Sequence, residues 1–217
     1  MSFKSTLLAS VAVAATGFFA GAASAEEPIR IGFAISQSGY MANWDIPLHR
    51  TAVMKIEEIN ANGGLLGSQI EYIVRDTKTD QALAASVGQE LVAEGVDFMV
   101  VSNDYDNGAP AALAASQAGI VVFAPGAGDP KFGVQGIGPF AYSGGVAGQT
   151  EGIAMAEYAL QKLGATTAYV LEDTTSEYNK SACAGFRAGW QAGASEGSLL
   201  GNDTFMAEDP TIASQIT

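Results

Sequence analysis

Cysteine, histidine and basic residues are scarce in this chain of 217 residues. One Cys, Cys183, excludes an internal disulfide and any Cys-rich zinc module. One His, His49, excludes a two-His metal site. Lys and Arg number 10 against 23 Asp and Glu, which leaves a net charge of −13 and a pI near 4.2. Nucleic acid is not an expected partner, because phosphate binding needs a basic face. A polybasic membrane anchor is excluded on the same ground. Charged residues make up only 15% and hydrophobic residues 48%, too apolar a balance for a disordered chain. No G-x-G-x-x-G, no G-x-x-x-x-G-K-[ST] and no G-x-S-x-G pattern occurs, so neither a nucleotide site nor a hydrolase nucleophile is indicated. His49 stands beside Pro47 at an expected helix start and reads as a solvated surface group, not a general base. Cys183 reads as an inert helix residue. No catalytic residue, cofactor or metal is expected, and the chain reads as a non-enzyme.

What is present begins with a leader. Lys4 is the only charge before Glu26, and an apolar, Ala-rich run from Leu7 to Ala22 is followed by Ala23-Ser24-Ala25. That order of charge, apolar run and small-x-small site reads as a secretory signal peptide, residues 1–25, cleaved after Ala25. The run is short for a membrane span. The expected location is the periplasm.

The remainder alternates strand and helix. Strands are expected at Ile29–Ile35, Ile70–Val74, Phe98–Val101 and Ile120–Ala124, where apolar and β-branched residues cluster. Helices are expected from Pro47 to Asn62, from Asp80 (as cap) to Gly95, and from Pro110 to Gly119. This βαβ order implies a parallel sheet with helices on both faces. A Gly- and Pro-rich stretch from Pro125 to Gly148 interrupts it, with a short strand possible at Phe140–Tyr142. The alternation then resumes with a helix at Thr150–Leu163, a strand at Thr167–Leu171 and a helix at Asn179–Ala192. A further strand is expected near Phe205, and a helix after Asp209-Pro210. The stretch marks a crossing between two α/β lobes: 26–145 for the first lobe and crossover, 146–217 for the second. So few strands cannot complete a covered sheet, so a second lobe continuing in a longer chain is expected.

Ligands of open parallel sheets bind beyond the carboxyl ends of the strands. Here those ends are Ser36–Trp44, Ser102–Asn107, Pro125–Asp129 and Glu172–Tyr178. Gly126, Ala127 and Gly128 can offer backbone N–H groups to an anion. Trp44, Tyr105 and Tyr178 can wall a pocket and supply hydrogen bonds. Asp104 and Asp106 can be read as paired carboxylates, as metal ligands, or as caps of the helix near Pro110, the last being the commoner use of acids in such a loop.

Three stretches carry a family resemblance: Ile59-Asn60-Ala61-Asn62-Gly63-Gly64-Leu65-Leu66-Gly67, Ile31-Gly32-Phe33-Ala34-Ile35-Ser36-Gln37-Ser38-Gly39 and Gly119-Ile120-Val121-Val122-Phe123-Ala124-Pro125-Gly126-Ala127. In these the chain resembles the branched-chain amino-acid type of ABC-transporter solute-binding protein, a two-lobe type I periplasmic binding fold, across residues 29–217. The resemblance implies a monomer that captures a small solute between two lobes and hands it to an inner-membrane ABC permease. It also implies that about half of the whole protein lies outside this sequence. Carried over by position, the aromatic after the first strand is Trp44, and the hydroxyl position after the third strand falls near Tyr105, beside Asp104. The loop for the ligand carboxylate is Gly126, Ala127 and Gly128, and the second-lobe tyrosine is Tyr178. Amino-acid binders of the family carry Ser or Thr near the positions of Tyr105 and Gly128. That departure widens the expected solute from leucine, isoleucine or valine to amides, urea-like compounds and aromatic acids. An exported ligand-sensing domain of a receptor with the same fold is the alternative.

Overall fold

The computed structural model describes residues 27–215, so the leader expected at residues 1–25 lies outside the described residues. Five strands build the larger sheet: β1 (Ile29–Ile35), β2 (Ile70–Asp76), β3 (Phe98–Val101), β4 (Val121–Ala124) and β5 (Ala141–Ser143). Their order is β2-β1-β3-β4-β5 and every pairing is parallel. Helices α1 (Ala42–Ala61), α2 (Gln81–Ala93) and α3 (Tyr105–Gln117) are the crossovers. Side chains alternate across the strands, so each face of the sheet has its own core. Ala34, Met99, Val101 and Val122 pack under α2 and α3, while Phe33, Ile35 and Ile70 pack with Ile56 of α1. Residue choice in the helices sets the spacing: a Cβ on Gly88 of α2 would stand 2.7 Å from Ala111 Cα of α3.

The smaller sheet pairs β6 (Ala168–Asp173) with β7 (Leu199–Phe205), again in parallel. Helices α4 (Gly148–Gln161) and α5 (Glu177–Gly193) pack on each other beside it. Trp190 of α5 is buried, and its indole N–H donates to Ser198 Oγ at 2.9 Å. Among the described residues no helix is long and apolar enough to cross a membrane.

The Ile59–Gly67 stretch ends α1 and turns the chain into β2. The Asn60 amide clamps Ile70 from both sides, donating to its carbonyl and accepting its N–H, each at 2.8 Å. Gly64 has φ +88°, and a Cβ there would stand 2.1 Å from Ser68 O, so only glycine fits.

Three expectations are corrected. Both prolines lie inside their helices, not at the first turn: α1 starts at Ala42 and α3 at Tyr105, so Pro47 and Pro110 are each the sixth helical residue. Where a helix is expected after Pro210, residues 213–215 form a turn, with the Gln215 N–H donating to the Ile212 carbonyl at 3.0 Å. His49 is not a solvated group. Its ring stands edge-on to Phe33, with centroids 4.8 Å apart, and burial pushes its pKa down.

Candidate functional site

The carboxyl ends of β1, β3, β4 and β6 open on one cleft of about 490 Å³ between the two sheets. Tyr40, Met41 and Trp44 line it from the start of α1, Asn103 and Asp104 from the end of β3, and Gly126 and Gly128 from the end of β4. Gly145, Val146, Glu151, Ser176 and Tyr178 close the other side. Two larger concavities, about 640 Å³ on α2 and α3 and about 790 Å³ beside α4 and α5, are dominated by helix faces. Of these three, the smaller cleft alone gathers the ends of several strands, which is where ligands of parallel sheets bind.

Asp45 ties the first-sheet loops together. Its side chain is 2% exposed, one oxygen accepts the Ser36 N–H at 2.8 Å and the other the Asn103 N–H at 2.9 Å. A buried carboxylate thus fixes the β1 loop to the β3 loop. Asp104 is the N-cap of α3 and accepts the Asn107 N–H at 2.9 Å. Burial pushes its carboxyl above the usual range, against the pull of the Asn107 bonds. Asn107 Nδ2 also donates to Tyr40 Oη at 3.0 Å, which seats that ring at the cleft mouth.

Gly126 and Gly128 make room for the cleft wall. A Cβ on Gly126 would stand 2.5 Å from Asn103 Oδ1, and one on Gly128 would stand 2.9 Å from the Tyr178 ring. Among the described residues the N–H groups of Gly126, Ala127 and Gly128 donate to no protein acceptor. Unmatched backbone N–H groups in a turn are donors that an anion or carbonyl oxygen could use. Tyr178, 37% exposed, lies across Gly128 and hydrogen-bonds through its hydroxyl to Glu151. The Glu151 bond raises the phenol pKa above its ordinary value, and burial adds to that. Trp44 lines the same cleft with 53% of its surface exposed.

Five of the seven residues expected at the site meet here: Trp44, Asp104, Gly126, Gly128 and Tyr178. Tyr105 does not. As the first residue of α3 it faces the groove between α2 and α3, with Lys131 Nζ 5.9 Å from its ring centre. Ala127 is 2% exposed and its methyl packs into the core, so only its backbone can serve a ligand. Asp106 also leaves the cleft and accepts the Glu177 N–H at 3.1 Å. Among the described residues no group of three or more His, Cys, Asp or Glu is placed to hold a metal ion. The sequence reading missed Tyr40, Asn103, Glu151 and Asp45. Asp45 had a signal: Met41, Asp45, His49, Ala52 and Ile56 repeat at helical spacing, so an acid sits on the inward stripe. Placing the helix start at Pro47 hid it.

The Leu/Ile/Val-binding protein homolog 1 of Brucella abortus (strain 2308) is 30% identical over 134 residues, 62% of this chain and 36% of that protein. The Leu/Ile/Val-binding protein homolog 3 of Brucella melitensis is 28% identical over 182 residues, 84% of this chain and 48% of that protein. Among solved structures, the branched-chain amino acid transporter substrate-binding protein LivJ of Streptococcus pneumoniae, in complex with isoleucine, superposes with a TM-score of 0.76 at 28% identity. That match covers 87% of this chain and 53% of the other, so the chain spans about half the length of the solved relative and less of the curated ones. The profile of the periplasmic binding protein family matches residues 28–217. The chain belongs to the periplasmic binding protein family, with the type I fold and with relatives of the branched-chain amino-acid type.

Proposed function

We propose that this chain forms the first lobe and the start of the second lobe of a solute-binding protein of an ABC importer. The lobes meet near residue 145. The protein works in the periplasm as a monomer, reached through cleavage after Ala25, and passes its solute to an inner-membrane permease. It performs no covalent chemistry. The solute is small and carries a carboxylate or a carbonyl, as an amino acid or a related amide does.

The observation that carries this reading is the cleft itself. The turn Gly126–Gly128, whose backbone N–H groups have no protein acceptor among the described residues, lines the cleft together with Trp44 and with Tyr178, whose ring lies against Gly128. The N–H groups suit an oxyanion or carbonyl oxygen, and the rings suit the rest of a small organic molecule. Supporting it, LivJ of Streptococcus pneumoniae was solved with isoleucine, and the Brucella relatives are named for leucine, isoleucine and valine. Calorimetric titration of the whole mature protein against amino acids, their amides and aromatic acids tests this. Binding is expected for one class with an intact carboxylate or carbonyl. Heat of binding from none of them would overturn the reading.

A further inference from the structure

The N-terminus of α5 carries Tyr178 into the cleft, yet α5 does not cap itself. Its N-cap residue, Ser176, makes no side-chain capping bond. The first turn of a helix leaves N–H groups that must find acceptors elsewhere. One of them, Glu177 N–H, donates at 3.1 Å to Asp106 Oδ2. Asp106 belongs to the first turn of α3, on the far side of the cleft. A second link runs parallel to the first. The Glu177 carboxylate pairs with Lys131 Nζ, on the loop between β4 and β5, and with Lys180 Nζ at 2.8 Å. The Lys131 backbone is itself pinned, since its N–H donates to Asp129 Oδ1 at 2.7 Å and its neighbour Phe132 is buried.

We propose that Asp106 and Lys131 form a latch between the lobes, capping α5 from across the cleft and so holding Tyr178 over Gly128 in the closed form. Both are positioning residues: neither lines the cleft, and each acts on the solute through Tyr178. The two links differ in weight. Lys131 is half exposed, and exposed ion pairs contribute little. Asp106 is less exposed and accepts a charge-assisted bond at a helix N-terminus, where an anion also meets the helix dipole. Asp106 is therefore the stronger member, and its loss is expected to change the ratio of closed to open forms about tenfold. The reading rests on the proposal that the lobes close on a solute, but its test does not need the solute.

Spin labels placed by Met54→Cys on α1 and Met155→Cys on α4, in a Cys183→Ser background, report the distance between the lobes in the whole mature protein. Without solute, Asp106→Ala and Lys131→Gln should move the distance distribution toward longer, broader values, the first more than the second. Asp106→Asn keeps an acceptor for the Glu177 N–H but loses the charge, and should fall between the parent and Asp106→Ala. Distributions for Asp106→Ala and Lys131→Gln that superimpose on the parent would overturn the latch. If circular dichroism shows that Asp106→Ala does not fold, the exposed Lys131→Gln decides, and a distribution superimposed on the parent's overturns the latch. A parent that opens with Lys131→Gln but binds no solute would support the latch and count against the proposed function.

Discussion

Asp45 and Asp104 are both acids drawn out of water, and the structure treats them differently. Each oxygen of Asp45 has a backbone donor, Ser36 or Asn103, so the carboxylate is satisfied where it lies. Asp45→Ala would leave both donors buried without an acceptor. The expected loss is about 3 kcal/mol of folding stability, read as a lower urea midpoint, with Asp45→Asn losing less because one acceptor survives. Asp104 instead carries a charge that burial disfavours, so its folded pKa lies above the unfolded one. Such an acid weakens the fold when ionised. That penalty is complete above the folded pKa and absent below the unfolded pKa, so it fades as pH falls between the two. Asp104→Asn keeps an acceptor for the Asn107 N–H and removes the charge. At pH 7 it should be as stable as the parent or more so, and thermal melts across pH 7 to 3 should show the difference closing as the acid range is entered. A variant less stable than the parent at pH 7 would mean that the ionised cap outweighs its burial.

The pair α4 and α5 shows how residue choice sets the geometry of elements. A Cβ on Gly152 would lie 1.9 Å from Ala182 O, and one on Gly185 would lie 2.1 Å from Gln149 O. Backbone meets backbone at both points, and no flexible side chain can yield. Gly152→Ala or Gly185→Ala should force the helices apart, at about 1–3 kcal/mol, measured by chemical unfolding. Because Glu151 and Tyr178 sit on these two helices, the same change should weaken solute binding. The elements were legible in the sequence wherever a local signal was complete. Asp80 caps α2 by accepting the Leu83 N–H at 2.7 Å, as its position before an apolar run suggested. The strands β1 and β3 follow their runs of Ile, Phe and Val. Helix starts were misread where proline was taken as the first residue, because a helix tolerates proline slightly beyond its first turn when the carbonyl it deprives can bend outward. Half of the cleft was legible for the same reason: strand ends can be counted in a sequence. Side-chain direction cannot, and it separates Asp104, which faces the cleft, from Tyr105, the next residue, which faces away.

At the scale of the whole chain, a net charge of −13 goes with a 490 Å³ cleft between two parallel sheets that no Lys, Arg or His among the described residues lines. Two carboxylates, Asp104 and Glu151, face the cleft, and among the described residues no cation pairs with either. The donors left for an anionic group are then the N–H groups of residues 126–128. The central claim is that Trp44 and Tyr178 close on a solute held by that turn. The affinity of the whole mature protein for its solute, compared with that of Trp44→Ala and Tyr178→Ala by calorimetric titration, tests it most directly. A buried aromatic anchor commonly contributes about 2 kcal/mol or more, so each variant should bind at least about thirtyfold more weakly. Unchanged affinity in both variants, in a parent that binds, would contradict it.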